Sequence, residues 1–187
     1  MDSSQSLGGK FLIAMPSLTD PNFERAVLFV CSHSEEGALG LVINQAHPAS
    51  MQEILAQLGL DWSRHESAIV YQGGPVAMDR GFILYEDFLE MPGNLKVEEN
   101  LFLGTSPDIL RHLVEGPSSG RFLFALGYSG WAGGQLEMEL KENAWLVSGL
   151  NRNILFETPI NTRWESALKI MGIDPAKLAG WGSHMSN

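Results

Sequence analysis

Apolar residues along this chain fall into short runs, rich in β-branched and aromatic side chains and closed off by Gly, Pro, Asn or Asp. That pattern predicts strands more often than helices. The runs are Phe11–Met15, Ala26–Ser32, Leu39–Asn44, Ala68–Gln72, Gly81–Glu86, Arg121–Gly127 and Ala144–Ser148, with Ile154–Phe156 as a candidate final strand. Between the second and third, His33-Ser34-Glu35-Glu36-Gly37-Ala38 is polar and contains glycine, so the two strands read as a hairpin.

Helices are fewer and better punctuated. Ser50-Met51-Gln52-Glu53 matches a capping box, after which Ile54, Leu55 and Leu58 share one face before Gly59. A second helix opens at Ser106 with Pro107 in its first position and stops at Gly116. A third runs from Arg163 to Met171, capped by Asn161 or Thr162 and ended by Gly172. Consecutive strands with single helices between them define an α+β class, and the expected architecture is an antiparallel, partly closed sheet or barrel-like core flanked by a few helices.

Composition narrows the functional classes. At 187 residues, 44% hydrophobic and 18% charged, the chain is apolar enough to fold as one domain over residues 1–187, with both ends reading as flexible tails. The net charge of -10 and the scattered Lys and Arg positions argue against direct nucleic-acid binding, which needs clustered cations against phosphates. A single cysteine, Cys31, fits a reducing compartment. The polar Met1–Ser6 segment lacks a basic region, Phe11–Met15 is too short for a signal-peptide core, and no run is long enough to span a bilayer. The expectation is a cytoplasmic protein that does not enter a membrane.

Standard catalytic motifs are absent: there is no phosphate loop, dinucleotide fingerprint, HExxH or paired CxxC. Gly127-Tyr128-Ser129-Gly130-Trp131 has Trp131 where a nucleophile elbow requires glycine. Cys31, two residues from His33, ends an apolar run and reads as a core residue. The histidines His33, His47, His65, His112 and His184 show no ligand spacing, so neither metal nor cofactor is expected. Glu137 and Glu139 diverge by about 200° if they lie on a helix and cannot then form a dyad. Asp20 and Asn22 suit a turn-fixing role, or a cleft with Arg25 as anion partner. Gln72-Gly73-Gly74-Pro75-Val76 and Gly130-Trp131-Ala132-Gly133-Gly134-Gln135 read as tight turns or as places where a ligand approaches backbone, the second launching a short helix through Leu136 and Leu140.

Several of these segments together resemble the bacterial YqgE/AlgH family: Phe11–Pro16, Asp20-Pro21-Asn22-Phe23-Glu24-Arg25, His33 through Asn44, Gly73-Gly74-Pro75-Val76, and Gly127–Trp131 with Gly134-Gln135-Leu136-Glu137. The match runs from about Lys10 to Met171, residues 10–171. The resemblance implies a compact α+β fold and no established biochemical activity; members are often labelled transcriptional regulators, without a DNA-binding element. The motif positions it carries over are Asp20, Asn22, Phe23, Arg25, His33, Asn44, Gly73, Gly74, Pro75, Trp131, Gln135 and Glu137. Gln45 and Tyr85 depart from it, standing where relatives commonly have a basic residue and a histidine.

The functional expectation is a non-enzymatic, regulatory binding protein whose polar and glycine-rich turns form a cleft for an unidentified small molecule or protein partner. The alternative is an enzyme, a hydrolase using Asp20, His33 or Glu137, which requires at least two of those side chains to converge on one pocket.

Overall fold

The computed structural model describes residues 5–61, 68–87, 93–116 and 120–179; His65, His184 and both tail segments lie outside them. Among the described residues, ten strands form one sheet. In chain order they are β1 (Phe11–Ala14), β2 (Val27–Ser34), β3 (Gly37–Val42), β4 (Ala46–Ser50), β5 (Ile69–Gln72), β6 (Val76–Glu86), β7 (Leu95–Glu98), β8 (Leu101–Gly104), β9 (Phe122–Ala132) and β10 (Trp145–Ser148). Helices α1 (Met51–Gln57), α2 (Pro107–Glu115), α3 (Gln135–Lys141), α4 (Arg152–Phe156), α5 (Arg163–Ile170) and α6 (Pro175–Ala179) are interspersed.

The main path runs β10-β1-β2-β3-β9-β6-β8-β7, with β4 and β5 attached beside β9. Every pairing is antiparallel except β5 with β9. The expectation of an α+β fold with an antiparallel, partly closed sheet or barrel-like core holds in its sheet form: the path ends at β10 and β7 without closing among the described residues. The sheet curls instead. Val97 of β7 packs against the core that holds Phe11 and Phe29, and Glu98 lies against Gly9, just ahead of β1.

Fully apolar runs arise because the central strands are covered on both faces. Along β1 and β2, Phe11, Ile13, Val27, Phe29 and Cys31 meet α4 and α5. The alternate residues Leu12, Ala14, Leu28 and Val30 pack with Trp131, Trp145 and Leu136 of α3. A third cluster lies under α1 and α2, joining Leu55 and Ile109 to Ile83, Tyr85 and Phe102.

Local signals were obeyed where the chemistry was explicit. Ser50 accepts from Glu53 N while the Glu53 carboxylate accepts from Ser50 N, completing the capping box. Ser106 caps α2 through Asp108 N. The β2–β3 hairpin forms, although its strands run further than expected and leave only Glu35-Glu36 between them. Ile154–Phe156 is corrected: it belongs to α4, because the Asn151 side chain accepts from Ile154 N at 3.1 Å and starts a helical turn that buries Ile154 and Leu155. Thr162 precedes α5 but makes no side-chain cap.

Candidate functional site

The motif residues occupy three places. At the first, the turn before β2, the Asp20 carboxylate accepts from Asn22 N at 2.9 Å, the Asx bond expected of it. Arg25 sits at φ 51, in the left-handed region. Asn44, two residues past the end of β3, holds that strained turn in place. Its side chain donates to Arg25 O at 2.8 Å and accepts from Val27 N at 2.8 Å, while Gln45 donates to Asn22 O at 3.2 Å. The Arg25 guanidinium lies 5.0 Å from the Trp164 ring centre. Arg163, only 2% exposed, reaches the same strand end from α5. It donates to Ile43 O and to Thr158 O and stacks over Tyr71.

Asn44→Ala should cost about 1–3 kcal/mol by removing both bonds of the clamp, read as a lower urea midpoint. Asn44→Asp, which keeps the acceptor for Val27 N, should recover part of that loss.

The second place is the far end of the hairpin. His33 lies six steps along β2 from Val27, so the two ends lie about 20 Å apart at roughly 3.3 Å per residue. Here His33 Nδ1 accepts from Leu7 N at 3.0 Å, which puts the ring proton on Nε2, and Nε2 donates to Glu137 at 2.6 Å. The Glu137 carboxyl is held below its ordinary range by its own backbone amide in the first turn of α3, then by His33. Gln135 accepts from Ala132 N at 3.0 Å. Glu139, missed as a partner, accepts from the indoles of Trp131 at 2.9 Å and Trp145 at 2.8 Å. Glu137 and Glu139 therefore turn to different groups, as their helical spacing requires.

The third place is backbone against backbone. Gly73 N donates to Leu126 O at 2.9 Å and Gly73 O accepts from Val42 N at 2.9 Å and from the Ser129 hydroxyl at 3.1 Å. Gly74 lies against Tyr128 so closely that a Cβ would sit 2.3 Å from its carbonyl. Pro75 is exposed beside it. Ser129 is wholly buried within β9 and is no exposed nucleophile. Cys31 is also buried, and burial pushes its thiol far above its ordinary value, which removes a thiolate reading.

Asp20 thus stands at the opposite end of β2 from His33 and Glu137. The latter two converge, but both His33 nitrogens are occupied by bonds that hold the fold. Among the described residues no cluster of His, Cys, Asp or Glu could hold a metal ion. No helix among them is long and apolar enough to cross a membrane.

Sequence reasoning missed a charged network beside an open cleft of about 680 Å³ lined by Glu86, Asp87, Glu99, Asn100, Gly120 and Arg152. Glu86 accepts a bidentate bond from Arg121, 2.8 Å at each oxygen, and a third bond from Arg152 at 3.0 Å. Arg152 also donates to Glu99 O, and Arg121 to Glu157 at 2.7 Å. These guanidinium bonds hold the Glu86 carboxyl down at about 2.

An open, curled α+β sheet, pinned by an Asx turn, an asparagine clamp and a glycine crossing, defines a class of compact proteins built around one long central strand, β9. The chain belongs to the AlgH-like family, which it matches over residues 11–176. It is 53% identical to a UPF0301 protein of Magnetococcus marinus, over 92% of this chain and 93% of that one. A UPF0301 protein of Pseudoalteromonas translucida is 41% identical over 96% of this chain and 99% of its own. The solution structure of the AlgH protein from Pseudomonas aeruginosa superposes with a TM-score of 0.78 at 38% identity, covering 96% of each chain. A crystal structure of protein DIP2367 from Corynebacterium diphtheriae, at 18% identity and a TM-score of 0.70 over 97% of this chain and 94% of that one, shares the fold.

Proposed function

We propose that this chain is a non-enzymatic binding protein that docks an anionic group of a small ligand or protein partner at the Asp20–Arg25 corner. One observation carries the reading: the Arg25 guanidinium stands over Trp164, next in sequence to Arg163, whose guanidinium bonds Ile43 O, and neither guanidinium pairs with a carboxylate among the described residues. Arg121 and Arg152, by contrast, are both ion-paired. Asp20, Glu24 and Glu165 lie nearby in sequence without bonding either arginine. Arg25 is exposed and supported from below by Trp164, so it is the contact group. Asn44 fixes its backbone. His33, Gly73, Gly74, Trp131, Gln135 and Glu137 serve as framework for the sheet end. A regulatory role then runs through such contacts in the cytoplasm, and the acidic charge disfavours a role exerted on DNA.

A thermal-shift panel of phosphate, nucleotides and carboxylate metabolites tests this. A ligand at 100 times its Kd stabilises by about 2.7 kcal/mol, roughly 5–10 °C at this chain length. The expected result is at least one anion with such a shift, lost in Arg25→Ala and partly kept in Arg25→Lys. No shift across the panel, a shift equal in Arg25→Ala, or turnover of the bound compound overturns the reading.

A further inference from the structure

We infer that His33 is a proton-operated latch on the N-terminal segment, and that protonating its ring releases residues 5–10 from the edge of β2. The segment extends β1 beside β2. Gly9 N donates to Val30 O at 2.8 Å, Val30 N donates to Lys10 O at 2.9 Å, and Leu7 packs against the cluster that contains Trp131 and Leu136. At its outer end the hold on Leu7 N is the lone pair of His33 Nδ1, at 3.0 Å. A neutral imidazole has one donor and one acceptor, and this structure uses both, Nε2 toward Glu137 and Nδ1 toward Leu7.

Adding a proton makes both nitrogens donors. Nδ1–H then points at Leu7 N–H, two donors face to face in a place where the histidine side chain is 5% exposed and water does not readily intervene. The ring cannot escape by turning over, because Nε2–H is still held by Glu137, and the pair becomes an ion pair that anchors the ring more firmly. The bond to Leu7 is therefore the one that breaks. Groups facing the ring are the Leu7 amide from the N-terminal segment and the Glu137 carboxylate from α3, with Lys141 of α3 acting on Glu137. Opposite on β3 stands Ala38, which does not titrate. The consequence is specific: release frees Val30 N–H and C=O from Lys10 and Gly9 and uncovers the apolar surface on which Leu7 packs.

Amide hydrogen exchange of Leu7 and Gly9, read against the ring shifts of His33 in one pH titration, tests the latch. In the wild type, protection at both amides should be full while the ring is neutral, fall by up to about tenfold per pH unit as the ring takes up its proton, and level off once protonation is complete. Protection in β1 itself, Leu12 for example, should hold. His33→Asn keeps an acceptor close to the Nδ1 position and should remove the pH dependence; His33→Gln keeps a donor toward Glu137 and should leave the segment unlatched at every pH. Unchanged Leu7 and Gly9 protection while the wild-type ring protonates overturns the proposal, and that measurement needs no variant to fold. So does a pH dependence in His33→Asn equal to that of the wild type.

Discussion

Gly74→Ala is expected to destabilise the protein by about 3 kcal/mol or more, seen as a large drop in urea midpoint with an unchanged slope. The new Cβ would lie 2.3 Å from both the carbonyl carbon and the oxygen of Tyr128, and 2.4 Å from Ser129 Oγ. Backbone cannot rotate away as a side chain can, so the β5–β6 link must lift off β9. Lifting it strains the three bonds at Gly73, from Val42 N, from the Ser129 hydroxyl and to Leu126 O. The hydroxyl of Ser129, wholly buried, would then lack its acceptor, which adds a desolvation cost. Gly149→Ala is the control: nothing lies within 4 Å of its Cβ position, and its stability should stay within about 0.5 kcal/mol of wild type. A Gly74→Ala protein as stable as the control would mean that this crossing is not close-packed.

That crossing marks where sequence reasoning reached and where it stopped. Gln72-Gly73-Gly74-Pro75 announces a tight turn or a close approach, and the structure shows the approach, but its partner at Tyr128-Ser129 is 55 residues away from Gly74 at the latter position. Nothing local encodes that distance. The same limit separates His33 from Glu137, each singled out by motif yet joined only by folding across 104 positions. Glu137 and Glu139, by contrast, were separable from helix geometry alone.

Elements behaved likewise. Phe11–Ala14 and Val27–Cys31 are legible because strands buried on both faces read as continuous apolar runs. Residues 95–104 escaped notice because Leu95–Glu98 and Leu101–Gly104 are four residues each, and the turn Glu99-Asn100 has no glycine; Asn100 supplies the left-handed residue itself, at φ 56. Three apolar residues at Ile154–Phe156 carry no measurable period, so the cap at Asn151 decided the outcome. Val76–Arg80, all exposed, extend β6 ahead of its buried half through an irregular pairing with β9 between Val76 and Gly81, with Ala77 at φ 46. No hydrophobic pattern marks such an arm.

The Glu86 network was equally invisible, since its partners are 35 and 66 residues away, and it yields the second large effect. Glu86 ends β6, Arg121 stands just before β9, and Arg152 opens α4, so one carboxylate ties the sheet to a helix and, through Arg152, to the β7–β8 turn. Its side chain is 18% exposed, which limits screening. With the folded-state carboxyl lowered from 4.5 to about 2, the carboxylate contributes stability that is complete above 4.5 and disappears as pH falls toward about 2. The displacement corresponds to about 3 kcal/mol. Glu86→Gln should therefore be less stable by about 3 kcal/mol at neutral pH, because Arg121 and Arg152 are left sharing a neutral amide where they shared a charge. Its stability should also fall less steeply on acidification, so that the two curves approach each other between pH 4.5 and about 2. Urea unfolding at intervals through that window measures both quantities. Curves that stay parallel to the acid end would assign the acid response to other carboxylates, and would leave the bidentate contact with Arg121 as a matter of geometry rather than charge.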